Sequence, residues 1–250
     1  MTPLMMSLVI FACIAGGTIL GTILRRMLPD HHLAAESRDM VKIGAGLIAT
    51  MAALLLGLLV ASAKSAYDTE KGEVTQMAAK IAYLDRALAM YGPEAKEVRM
   101  RLKAAVAVTI ANMWPDEHVE GLPSEPAMAA PALYVELQKL SPQTDSQKYL
   151  KGQALSMVTD LGQTRWLLAE QSGRSISTPF LTVVVFWLSM TFVSYGLMMP
   201  RNATVFVTLL LCALSVSGAF FLIFELDHPF GGIIQISSGP MRSVMEHVGG

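Results

Sequence analysis

The stretch IGAGLIATMAALLLGLLVASA, Ile43 to Ala63, carries no charged residue. Its length is that of a helix crossing a hydrocarbon core of roughly 30 Å. It passes into KSAYDTEKGEV, Lys64 to Val74, where no proline occurs and no glycine precedes Gly72. The two facts together predict a membrane helix that continues unbroken into a polar region. Three further windows, Met1–Leu24, Ser175–Pro200 and Asn202–Phe224, are also free of charge and mostly apolar. A backbone in lipid must satisfy its own hydrogen bonds, so these windows are helices rather than strands. The prediction is an all-α integral membrane protein with four transmembrane helices.

The composition agrees. Apolar residues make up 53% of the 250 residues and charged residues 16%, too skewed for an ordinary soluble domain. The first window lacks a basic region before it, and Arg25 and Arg26 lie at its far end, so it reads as a retained helix rather than a cleaved signal. Cys13 and Cys212 both fall inside predicted spans and suggest neither a disulfide framework nor a zinc site. A net charge of −1 gives no reason to expect nucleic acid as a partner. Membrane lipid is the expected surrounding.

Between the second and third spans lies a polar segment too patterned to be a linker. Val74, Met77, Ile81, Leu84, Leu88 and Tyr91 recur at spacings of three and four, an apolar seam on one helical face. Gly92-Pro93 breaks that helix. Glu94 opens another, carrying Val98, Leu102, Val106 and Ile110, which Trp114-Pro115 ends. GLPSEPAMAAP, Gly121–Pro131, reads as an irregular connector. A third helix carries Leu150, Ala154, Val158, Leu161, Arg165 and Leu168 on one side. The expected organisation is 1–63 for the first two spans with a polar loop at 25–42, 64–177 for an inserted helical extramembrane domain, 178–225 for the last two spans, and 226–250 for a C-terminal tail.

Small residues gather in the first two spans. Gly17 and Gly21 form a GxxxG spacing, which lets backbones approach closely. Gly44, Gly46, Ala52, Ala53 and Gly57 crowd the second span, as a tightly packed helix or one lining a path would require.

Candidate chemistry is sparse. In LPDHHL, Leu28–Leu33, the residues Asp30, His31 and His32 suit ion binding, gating or a proton relay at a mouth. The competing reading is a turn broken by Pro29, with Asp30 or Ser37 capping a short helix. No nucleophile elbow, HExxH, phosphate loop or dinucleotide fingerprint is present in its context, so neither an enzyme nor a cofactor is expected. Glu225 and Asp227, where the last span stops, fit an ion pathway or a pairing with a basic neighbour better than acid–base catalysis.

Two stretches resemble the bestrophin superfamily, specifically its small bacterial bestrophin-like branch. GLLVASAKSAYDTEKGEV, Gly57–Val74, is similar to the end of the second bestrophin helix, with Ala66, Tyr67 and Asp68 on its Ala-Tyr-Asp element. ELDHPFGG, Glu225–Gly232, is similar to the element after the fourth helix. Glu225, Leu226, Pro229, Phe230 and Gly231 fall on its Glu-Leu-x-x-Pro-Phe-Gly pattern, and Asp227 lies within it. The likeness to the bestrophin-like branch extends through RRMLPDHHL, YGPEAKE and PRNATV.

The resemblance implies a homopentameric anion channel of the bacterial inner (cytoplasmic) membrane. Second helices would surround the pore, and the helical insert would be cytoplasmic. Counted back from Tyr67, the pore neck falls at Ala53, Gly57 and Ala61; otherwise the register shifts to Leu54, Leu55 or Leu58, or gating lies elsewhere. The family's Arg-Trp-Trp is replaced by Thr69-Glu70-Lys71. Its acidic calcium clasp after Pro-Phe-Gly is replaced by GIIQISSG, so no such calcium site is expected.

Charge does not orient the chain. Arg25, Arg26, Arg38, Lys42 and Arg201 on one side balance Lys64, Lys71, Arg165, Arg174 and Arg242 on the other, and only the resemblance places the insert in the cytoplasm. The expected function is an oligomeric ion channel or channel-like pore, with anion conduction implied by the resemblance and no permeant ion named by the residues. The alternatives are a non-conducting membrane scaffold or sensor that recruits a partner through its helical domain, and a metal transporter using His31 and His32.

Overall fold

A computed structural model of the protein describes residues 2–29, 35–115, 129–171, 178–199 and 202–249. The regular elements among them are helical: α1 Pro3–Met27, α2 Ala35–Tyr91, a 3₁₀ turn Pro93–Ala95, α3 Lys96–Met113, α4 Ala129–Lys139, α5 Asp145–Gln171, α6 Thr178–Met198, α7 Ala203–Leu226 and α8 Gly239–His247. They group into two compact units. One comprises Met1–Tyr67 and Gly173–His228, the other Asp68–Ser172 and Pro229–Gly250. The apolar parts of α1, α2, α6 and α7 are long and apolar enough to cross a membrane. At 57 residues, α2 is about 85 Å long at the α-helical rise, far more than a bilayer core takes up.

In the first unit α1 packs against α6 and α7. It starts with Pro3, whose missing N–H costs nothing in a first turn, and Thr2 Oγ1 accepts from the Met5 amide at 3.4 Å. It ends on Arg25 and Arg26, cations suited to the negative end of the helix dipole. The contact with α6 is backbone on backbone. A Cβ built on Gly17 would lie 2.8 Å from the Ser189 carbonyl oxygen, one on Gly21 would collide with the Val193 carbonyl, and one on Gly196 with the Thr18 carbonyl. The GxxxG spacing is therefore used inside the chain, and α6 answers it with a glycine of its own. Ile10, Ile14, Val184, Leu188 and Phe192 fill the rest of the core. Ser217 of α7 donates to the Ser7 carbonyl of α1 at 2.6 Å, so this buried hydroxyl is satisfied.

In the second unit the seam expected on α2 is the core: Val74, Met77, Ile81, Leu84, Leu88 and Tyr91 are all at most 5% exposed. Val98, Leu102, Val106 and Ile110 of α3 are equally buried. The chain turns between α2 and α3 at Gly92, whose φ of 128° lies where side chains are rarely tolerated. Across that turn Arg99 donates two hydrogen bonds to Asp85, Nε to Oδ1 at 2.8 Å and Nη2 to Oδ2 at 2.9 Å. This bidentate hydrogen bond holds the guanidinium pKa above its ordinary value, with desolvation opposing it. Asp85 Oδ1 also accepts from the Gly249 amide at 3.3 Å, tying down the end of the chain.

Two local expectations are corrected, and two segments gain detail. The connector does not stay irregular to Pro131, because α4 has begun by Ala129. A proline in the first helical turn removes no hydrogen bond, so Pro131 does not break it. Within the segment expected as a polar loop, 25–42, α1 runs to Met27 and α2 starts at Ala35. Polar residues there continue the helices, with Lys42 bonded to Asp39 at 3.1 Å, three residues back. Ser37 consequently lies inside α2 rather than capping a short helix. The segment expected as a tail contains α8, held by the fully buried Met241.

Candidate functional site

The small-residue stretch of α2 is built differently from its counterpart in α1. Gly17 and Gly21 are filled by α6, whereas Cβ atoms on Gly44, Gly46 and Gly57 would meet nothing within 4 Å. Within the charge-free segment Ala45, Ala52 and Ala63 are buried. The other side is bare: Ile43 is 70% exposed, Leu47 64%, Leu54 71% and Leu58 62%. Ala53, Gly57 and Ala61 are exposed as well. Spaced by four, they form one line along the helix, with Leu54 and Leu58 on the line beside it. Leu54 and Leu58 are thus on the same uncovered face as Ala53, Gly57 and Ala61, whereas Leu55 is half-buried. Apolar exposure by itself fits lipid. A glycine in a helix interior, however, costs about 1 kcal/mol relative to alanine, and among the described residues Gly44, Gly46 and Gly57 gain no close contact in return.

The face ends in Lys64, Ala66 and Tyr67. The Lys64 ammonium sits 5.3 Å from the Tyr67 ring centroid, a cation–π contact. Asp68 follows on the same helix and is itself engaged.

The other motif begins as α7 stops. Glu225 and Leu226 are buried, and Asp227 caps the helix with its amide on the Ile223 carbonyl at 3.1 Å. His228 Nδ1 lies 2.9 Å from the Phe224 carbonyl oxygen, a geometry in which that nitrogen carries the proton. Glu225 and Asp227 are both engaged by neighbours. In the second unit, the Ile236 amide donates to the Pro229 carbonyl at 2.7 Å and closes a loop. Phe230 meets Trp114 edge to face, 5.5 Å between centroids. The Trp114 indole N–H donates to the Ile236 carbonyl at 2.7 Å. Trp114 thus does more than end α3: it is the post on which this loop is wound.

Asp30, His31 and His32 lie outside the described residues. Among the described residues no group of three or more His, Cys, Asp or Glu side chains is gathered as a metal site. Cys13 and Cys212 are free and exposed.

Four helices of this length and hydropathy make the chain a multi-pass membrane protein. Residues 12–241 match the Bestrophin-like domain, and the chain belongs to that family. Its fold is also that of solved bestrophins. A bacterial bestrophin homologue from Klebsiella pneumoniae, carrying a tryptophan-to-alanine mutation, superposes with a TM-score of 0.69 at 13% identity, covering 100% of this chain and 96% of that one. A tyrosine-to-alanine mutant of the Klebsiella pneumoniae homologue gives 0.64 at 12% identity, covering 93% and 96%. No curated protein matches the sequence.

Proposed function

We propose that the chain assembles into a homo-oligomeric, anion-conducting pore whose wall is the uncovered face of α2. The observation carrying this reading is the contrast between two sets of glycines. Gly17 and Gly21 of α1 and Gly196 of α6 are consumed by contacts within the chain, whereas all three glycines of the α2 span, Gly44, Gly46 and Gly57, face open space; in α1 and α6 only Gly16 does so. Copies around a symmetry axis would give that face a use, since symmetry turns each residue into a ring. Small side chains at Ala53, Gly57 and Ala61 would keep such a path open rather than gate it by dewetting. Family membership supports a pentamer in the bacterial inner membrane with its helical insert in the cytoplasm. On this reading Asp30, His31 and His32 belong to a mouth, and Glu225 to Gly231 form a structural junction.

The test is single-channel recording of the purified full-length protein in planar bilayers, under a chloride gradient and then a sodium gradient. The expected result is discrete openings whose reversal potential follows chloride. Silence from a protein shown to be a folded oligomer would replace the pore with a membrane scaffold. Reversal that follows sodium would retain the pore and overturn its anion selectivity.

A further inference from the structure

The second unit contains a cleft that the pore does not use. A cavity of about 700 Å³ opens between α3, the end of α5 and the loop after α7, with Met113, Trp166, Leu168 and Phe230 on its walls. A second cavity of about 300 Å³ lies among Met77, Ile81, Leu102, Val106 and Val158. Thr109, Gly162 and Arg165 line both. Among the described residues the arrangement is thus a wide apolar mouth, a narrower apolar slot, and one cationic side chain where they meet. Arg165 has no ion-pair partner among the described residues. No acidic side chain among the described residues lines either cavity.

Apolar walls with a few convergent polar groups, in this range of volume, are the usual form of a small-molecule site. A purely apolar ligand would leave Arg165 unused, and a small inorganic anion would leave the slot empty. The geometry points to a ligand having both parts: an anionic amphiphile, with its charged head on Arg165 and its chain in the slot. Carboxylate and phosphate heads both match the guanidinium fork. Trp166 stands 74% exposed at the mouth, an aromatic with an apolar body and a polar edge. Along the sequence, Phe230 follows the end of α7 after only Asp227, His228 and Pro229. A free long-chain carboxylate and an anionic membrane lipid share the required chemistry.

The experiment uses the full chain in nanodiscs of zwitterionic lipid and follows tryptophan emission. Trp166→Phe identifies the share of the signal that comes from the cleft. Dodecanoate is expected to shift that emission saturably, with affinity rising about fourfold per methylene from octanoate to dodecanoate. Arg165→Gln should weaken dodecanoate at least about tenfold, the low end for losing a charge-assisted hydrogen bond, and Arg165→Lys should restore part of it. Gly162→Leu should block the slot without disturbing the fold, because a Cβ there meets nothing within 4 Å. If exchanging the discs for phosphatidylglycerol produces the same shift and abolishes the response to dodecanoate, the natural occupant is lipid. If the response survives the exchange, it is a free carboxylate. Equal binding of neutral dodecanol, indifference to both Arg165→Gln and Gly162→Leu, or no saturable shift in either disc would overturn the proposal. So would a change of oligomeric state in Arg165→Gln, which would assign the cleft to a neighbouring copy.

Discussion

Replacing Gly196 or Gly21 by leucine is expected to dismantle the first unit. Each glycine faces backbone rather than a movable side chain. A Cβ on Gly196 collides with the Thr18 carbonyl, and one on Gly21 collides with the Val193 carbonyl and comes within 2.8 Å of the Leu197 nitrogen. The helices must move apart, and the dispersion contacts that hold them in lipid are lost along the whole seam. Overpacking a well-filled core typically costs about 1–3 kcal/mol, and a clash with rigid backbone belongs at or beyond the upper end. The measurable outcome is loss of the monodisperse peak in detergent and a lowered thermal aggregation midpoint. Gly44→Leu, placed on the same kind of small residue but in open space, should leave the stability of the solubilised chain nearly unchanged. Equal damage from Gly44→Leu would refute the distinction drawn between the two sets of glycines.

Trp114→Ala should be comparably severe in the second unit. The side chain is 1% exposed, packs edge to face on Phe230 and donates to the Ile236 carbonyl. Removing a buried tryptophan costs about 3–5 kcal/mol, and the orphaned carbonyl adds about 1–3 kcal/mol more unless water reaches it. The loop from Pro229 to Ile236 loses its post, so limited proteolysis should cut between Gly231 and Ser238 well before it cuts elsewhere. Trp114→Phe keeps most of the volume and loses only the donor. It should fall between the wild type and the alanine variant, and cleavage as fast as in Trp114→Ala would make the hydrogen bond, not the packing, dominant.

The sequence made some of this legible and hid the rest, for physical reasons. Charge-free windows are local, so the four spans and the unbroken run of α2 could be read without knowing any partner. The seam from Val74 to Tyr91 and the stop at Gly92-Pro93 were visible for the same reason. What Gly17 and Gly21 pack against was not, because the answer lies around Gly196, far along the chain. Helix α4 was hidden by Pro131, which reads as a breaker unless the helix starts just before it. Helix α8 is nine residues long, too short to show a decisive period. Trp114 looked like punctuation because its partners, Phe230 and Ile236, come more than a hundred residues later. The cleft around Arg165 had no local signature at all. Arg165 stood out only as a cation within an apolar helical seam.

The uncovered face of α2 is the claim on which the function rests, and substituted-cysteine modification tests it most directly. Cys13 and Cys212 are first replaced by serine, since both are free and exposed. Gly57→Cys is then recorded in a planar bilayer before and after a negatively charged thiol reagent is added. Leu214→Cys, 57% exposed on α7, serves as a position away from the proposed wall. A pore lined by α2 predicts stepwise block of the current in Gly57→Cys and no change in Leu214→Cys. A current that persists unaltered through modified Gly57→Cys, or that is blocked only through Leu214→Cys, would contradict it.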